Sequence, residues 1–228
     1  MTIFTFALKR SFRSKSNLIF LLLLPIICIL LPTQEWQPLP LGFQYYGIIL
    51  LFSASRVVVS IMQDRATGVL LRIGVSPVTH FHYLFQSLLA YSLILIGQSA
   101  LVVFGGRLVH GEVIKEPLLL FVVYAIFSLT AVAFCLAWNS LYRNKETALL
   151  LLMNVIILMA MLGGVMWPME IMPEFLQRTA MLLPTYWLVE AVRTIIYEEG
   201  TRALLFPVSV ILLFTIAFLL LGSKRRLV

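Results

Sequence analysis

The sequence predicts an all-α, polytopic membrane protein with six spanning helices, and three observations carry that reading. Of 228 residues, 61% are hydrophobic and 12% charged, with a mean hydropathy of +1.00, too little polar surface to coat a soluble globule. Apolar runs recur near the ~20 residues that a helix needs to cross a ~30 Å hydrocarbon layer at ~1.5 Å per residue. The basic residues fall in alternate connections between those runs and on no continuous face. The net charge of +7 therefore reports orientation in a lipid bilayer and argues against a nucleic-acid partner.

Along the chain, residues 3–13 place Ile3, Phe4, Ala7 and Leu8 on one helical face, with Lys9 and Arg13 on another. That spacing predicts a short N-terminal interfacial helix in the headgroup layer, its basic groups near anionic lipid. A frayed basic tail that merely obeys the orientation rule fits the same residues. The first span, near 17–32, follows basic residues as a signal peptide would. The sequence after it, Pro32-Thr33-Gln34-Glu35-Trp36, lacks a small-x-small cleavage site, so the segment is expected to be retained. Further spans are expected near 43–62, 83–104, 117–139, 147–167 and 204–222. Without internal repeat or linker, residues 1–228 read as a single transmembrane domain. Cys28 and Cys135 lie inside apolar runs and read as small hydrophobes.

Orientation follows from the short loops. Lys9, Arg10, Arg13 and Lys15, then Arg65 and Arg72, then Arg143 and Lys145, then Lys224, Arg225 and Arg226 share one side, opposed only by Asp64 and Glu146. The other side carries Glu35, Glu112, Glu116, Glu170, Glu174, Glu190, Glu198 and Glu199 against fewer cations. Both termini are expected in the cytoplasm, which requires an even number of crossings.

Two segments break the hydropathy pattern. In the run from Gln63 to Pro77, Ala66, Val69, Leu70 and Ile73 fall at i, i+3, i+4 and i+7, with Arg65, Gly68 and Arg72 on a neighbouring face and Leu71 out of register. A short amphipathic cytoplasmic helix over about 64–76 is predicted, stopped by Gly74 and Ser76-Pro77. After the fifth span, Gly163, Gly164, Pro168 and Pro173 permit close helix approach and a broken backbone. Residues 182–196 are too short and too charged to cross, and Glu190 and Arg193 are three apart. A segment over about 168–196 is expected to dip into the outer leaflet and return; an ordinary external loop with a surface helix is the plainer alternative.

The first segment resembles the membrane subunits of type-2 ABC exporters, where an acidic-basic pair, a Gly, a Leu-x-Arg and a Ser-Pro follow the second span in this order. Here these are Asp64, Arg65, Gly68, Leu70, Arg72, Ser76 and Pro77, with Ile73 on the same helix. Two further stretches are similar to that family. Gly163-Gly164, Trp167-Pro168, Glu170 and Pro173 match its Gly-Gly, aromatic-Pro, acidic, Pro pattern; Leu183-Pro184, Tyr186 and Glu190-Ala191-Val192-Arg193 match its Leu-Pro, Tyr, Glu-Ala-x-Arg pattern. The resemblance implies that the 64–76 helix docks on a separate ATPase subunit, present in two copies with its own ATP and magnesium, and transmits its movement. It also implies that the re-entrant segment caps the external end of a substrate path. A second permease subunit, the same or similar, and a prokaryotic plasma membrane are implied as well. A non-transporting binding, immunity or sensor subunit of the same fold is the rival reading.

Polar residues within spans are candidates for the path or for packing. Arg56 lies about two turns inside the second span, where it lines a path, anchors neighbours or snorkels to the headgroups. Gln98 and Asn154 are more commonly interhelical hydrogen-bond partners than substrate contacts. No G-x-x-x-x-G-K-[ST] occurs, so no nucleotide cofactor is expected on this chain. His80 and His82 point about 200° apart on a helix and His110 lies on the other side, so no metal site is expected. With no nucleophile-base pair either, an enzyme is not expected.

Overall fold

A computed structural model describes residues 2–32, 39–66, 79–142, 144–167, 169–198 and 200–224. Among the described residues there are ten α-helices, two single 3-10 turns and no strand. α1 (Thr2–Arg13) is separated by Ser14 from α2 (Lys15–Leu30), and the two are bent 73° from each other. The Ser14 hydroxyl caps α2 by accepting from the Asn17 N–H at 3.5 Å. α3 (Leu41–Gln44) leads into α4 (Tyr46–Ala66). α5 (His80–His110) starts on Thr79, whose hydroxyl accepts from the His82 N–H at 3.3 Å. α6 (Pro117–Leu141) starts on a proline, where the missing N–H would lack a partner anyway. α7 (Lys145–Leu162) is capped by Asn144, which accepts from the Glu146 N–H at 2.9 Å. α8 (Glu174–Ala180), α9 (Pro184–Ile196) and α10 (Thr201–Lys224) complete the chain.

Side-chain contacts fix the direction of each long helix. The His110 Nε2–H donates to the Ile29 carbonyl at 2.7 Å, so the end of α5 meets the end of α2. Tyr46 reaches Ser99 at 3.1 Å and Ser60 reaches Tyr91 at 2.9 Å, which sets α4 antiparallel to α5. Tyr46 against Tyr124 and the Cys135 thiol toward the Leu51 carbonyl make α4 and α6 parallel. Thr130 with Thr215 and Phe134 with Phe218 do the same for α6 and α10. α7 runs back from Trp138, whose indole N–H donates to the Ala148 carbonyl at 3.0 Å, to Thr185 beside Met159. The chain thus traverses the bundle six times in alternating direction.

Five of these helices, α4, α5, α6, α7 and α10, are long and apolar enough to cross a membrane. α2 has 16 residues, including Pro25. Such a helix rises about 24 Å and falls short of a ~30 Å layer alone. Among the described residues, counting the bent pair α1–α2 as one span brings the candidate spans to six.

α6 is the central element, packed by α10, α5, α4 and α9. Its sequence explains this, because Ser128, Thr130, Ala131, Ala133, Cys135, Ala137 and Ser140 are all buried and let neighbouring backbones approach. The hydroxyls are satisfied locally: Ser99 and Ser128 donate to the carbonyls one turn back, and the Tyr124 hydroxyl donates to the Phe43 carbonyl at 2.7 Å.

α1 departs from expectation in what it covers. Ala7 is buried and Ile3, Phe4 and Leu8 pack on the bundle, chiefly on α5, so the apolar face lies against protein instead of lipid. Phe6 and Phe12 face outward with Lys9 and Arg13. The spacing was correct for a helix, and the bundle takes up part of its apolar face while Phe6 and Phe12 stay exposed. α1 is also no frayed tail.

Candidate functional site

At the end of the bundle that carries α1, the last turn of α4 holds Asp64 and Arg65. They continue the second span directly and do not open a separate helix. Gly68, Leu70, Arg72, Ile73, Ser76 and Pro77 lie outside the described residues. The Asp64 carboxylate, side chain 17% exposed, forms an ion pair with Arg10 of α1. The same guanidinium donates to the Ser60 carbonyl at 2.7 Å and to Gln63 Oε1 at 3.4 Å. At the other end of α1, the Phe4 N–H donates to Gln86 Oε1 of α5 at 3.3 Å. This N–H belongs to the first turn, where no intrahelical acceptor exists. α1 therefore bridges α4 and α5, the two helices joined by residues 67–78.

At the opposite end, α7 stops at Leu162 because the next residues forbid continuation. A Cβ on Gly163 would lie 2.1 Å from Thr185 Oγ1 and 2.6 Å from the Met159 carbonyl oxygen. Its absence lets Thr185 reach in and donate at 2.7 Å to that carbonyl, which also accepts the Gly163 N–H at 2.9 Å. Gly164 has φ +76°, a left-handed conformation that suits glycine. Pro168 lies outside the described residues, and Glu170 sits in the 3-10 turn Met169–Ile171. Pro173 precedes α8, and the Gln177 amide donates to the Met169 and Met172 carbonyls at 3.1 and 2.8 Å, folding α8 back on that turn.

Pro184 opens α9, whose buried face (Pro184, Thr185, Leu188, Ala191 and Thr194) packs against α10, α6 and α7. Its 13 residues rise about 20 Å, less than a crossing. The polar side carries Glu190 and Arg193. With Tyr186, Gln177, Met169 and Met181 they line a cavity of about 200 Å³. The Arg193 guanidinium sits 5.8 Å above the Tyr197 ring. Nearby, Lys115 and Glu198 pair at 2.7 Å on the surface.

The polar residues inside spans divide, Arg56 anchoring a neighbouring helix while Gln98 and Asn154 depart from expectation. Arg56 stacks its guanidinium 4.8 Å above the Phe20 ring, tying α4 to α2. Gln98 is buried, at 2% exposure, and among the described residues neither end of its carboxamide meets a hydrogen-bond partner. Asn154 is exposed, and its amide donates to the Leu150 carbonyl of its own helix at 2.7 Å. Neither makes the interhelical bond expected of it. Asn154 faces outward, away from the other spans of this chain.

Sequence reasoning passed over Arg10, Thr185 and Gln177. Arg10 counted only toward orientation, because no local spacing links it to a carboxylate 54 positions later. The Gly-Gly pair did signal a close approach but not which side chain enters it.

Comparison with curated proteins gives no match. A family model described as ABC-2 family transporter protein matches residues 41–224. The match takes in α3 through α10; α1 and α2 precede it.

Proposed function

The chain belongs to the ABC-2 transporter family, and from that premise we propose that it is the permease subunit of an exporter working as a dimer with two copies of a separate ATPase. A multi-pass membrane subunit that partners an ABC ATPase follows from the family itself. The dimer, the path and the coupling route are the further reading. In it, both termini are cytoplasmic in a prokaryotic plasma membrane, and ATP with magnesium closes the ATPase pair. That closure pushes residues 64–76 and switches access to a path between the two membrane subunits. The Gly163–Arg193 region lies at the external mouth of that path.

Asn154 carries the reading. α7 and α10 both show long outward faces, but that of α10 carries Leu205, Phe206, Leu213, Ile216, Leu220 and Leu221, and its one exposed hydroxyl among them, Ser209, donates its hydrogen to the Phe206 carbonyl at 2.7 Å, as lipid requires. The outward stripe of α7 places Asn154 among Leu150, Ile157 and Leu158. Its bond to Leu150 uses one amide hydrogen and leaves the carbonyl oxygen and second hydrogen facing outward. An amide directed into hydrocarbon is costly, so this stripe is better suited to a protein neighbour or a wetted path.

The test uses a chain with Cys28 and Cys135, both buried and free, replaced by Ala, and a single Leu158→Cys or Leu213→Cys added. Oxidation in native membranes should give a covalent dimer through position 158 and none through 213, and the tagged chain should bring down an ATPase. Cross-linking at 213 alone would sink the α7 dimer. Absence of any ATPase would remove the exporter reading.

A further inference from the structure

We propose that Arg10 is a positioning residue for coupling, holding the end of α4 that leads into residues 67–78, and that Asp64 serves as its anchor within the chain. The inference rests on the exporter reading and deepens it. The resemblance to type-2 exporters assigns Asp64 to the surface met by the ATPase. The structure turns most of that carboxylate inward, leaving the side chain 17% exposed with Arg10 against it. Arg10 makes three contacts with one helical turn: the Asp64 carboxylate, the Gln63 amide oxygen and the Ser60 carbonyl. The Ser60 hydroxyl in turn bonds Tyr91 of α5 at 2.9 Å, so the turn is also fixed to the third span.

A helix of 12 residues has little stability alone, so α1 is ordered by what it packs on. Ala7 and Ser11 are buried, and the Phe4 N–H is held by Gln86 of α5. α1 continues through Ser14 into α2. A push on the end of α4 is thereby shared with α5 through Ser60 and α1, and with α2 through the chain itself. Three spans move together where an isolated α4 would yield alone. Reversing either charge sets two like charges against each other in a partly buried place and loosens the turn.

Arg10→Asp, Asp64→Arg and the double exchange separate this role from direct docking. The measurements are ATP hydrolysis by the ATPase that copurifies with the wild-type chain, relative to that ATPase alone, and the thermal melt of each membrane subunit. Each single reversal should lower the membrane-subunit-dependent change in hydrolysis by about tenfold, within the range of coupling energies between sites, and the exchange should restore most of it. The melts should follow the same order. Singles that retain full coupling would overturn the proposal. So would an exchange that melts with the wild type yet stays as uncoupled as Asp64→Arg, since Asp64 would then meet the ATPase itself. If the wild-type chain captures no ATPase, the exporter reading fails before any variant is made. The melts still decide the tether, because an exchange no more stable than the single reversals would overturn it.

Discussion

The two ends of the bundle are closed by different chemistry. At the α1 end a guanidinium gathers a carboxylate, an amide oxygen and a carbonyl from one turn of α4. At the opposite end a missing Cβ admits a threonine hydroxyl as a second donor to the Met159 carbonyl, which already accepts the Gly163 N–H, and a glutamine amide folds the following turn. The difference suits their surroundings. A charged fastening at the surface can be rearranged by another charged surface, whereas close backbone contact with neutral hydrogen bonds holds its shape where water is scarce. In the proposed exporter the first end would receive force and the second would keep the mouth of the path in register.

Three experiments sharpen that contrast. The largest effect is expected from Gly163→Ala. The added methyl meets Thr185 Oγ1 at 2.1 Å and Thr185 Cβ at 2.7 Å, so α9 must move away. Overpacking of this kind costs about 1–3 kcal/mol, which should appear as a lower melting temperature in detergent. Thr185→Ala should relieve it only in part, since its Cβ remains in the way. An unchanged melt would mean that the external end is not held by this contact.

A smaller effect is expected from Thr185→Val, which keeps the shape and removes the bond to the Met159 carbonyl. A buried hydrogen bond contributes about 0.5–1.5 kcal/mol net, and the loss stays in that range because the Met159 carbonyl keeps its bond from the Gly163 N–H at 2.9 Å. A loss larger than that of Gly163→Ala would make hydrogen bonding, and not close approach, the principal fastening.

The smallest concerns Lys115 and Glu198, a charged pair at the neutral end. Their mutual hydrogen bond and charge hold the Glu198 carboxyl below its ordinary range and the Lys115 amine above its own. The Glu198 contribution is present above the ordinary carboxylate pKa and is lost as pH falls through the lowered value. The Lys115 contribution is present below the ordinary lysine pKa and is lost as pH rises through the raised one. Both side chains are well exposed, so Lys115→Ala should lower the melt slightly across the neutral plateau and not at either flank. A difference that grows in acid would contradict the assignment.

Much of the fold was legible because lipid imposes a simple requirement: long apolar runs must become helices, and basic loops alternate with acidic ones. The breaks were legible too, as Gly163-Gly164 and Pro184 are residues that end or begin helices wherever they occur. What lies across the bundle was not. The spacing of Ile3, Phe4, Ala7 and Leu8 announces an apolar face equally for lipid or for α5, and only packing chooses. Asn154 and Gln98 look alike in sequence, yet one faces outward and the other is enclosed, because rotation of each helix about its axis is set by neighbours.

The sequence by itself determined the helical class, the number and approximate place of the apolar runs, the broken segment after the fifth and the family, since each rests on local composition, spacing or motif order. Tertiary structure alone decided that Arg10 holds Asp64, that Thr185 fills the space Gly163 leaves, and which face of α7 is left uncovered. Those contacts join residues 22 to 54 positions apart, and no local rule relates groups that only folding brings together.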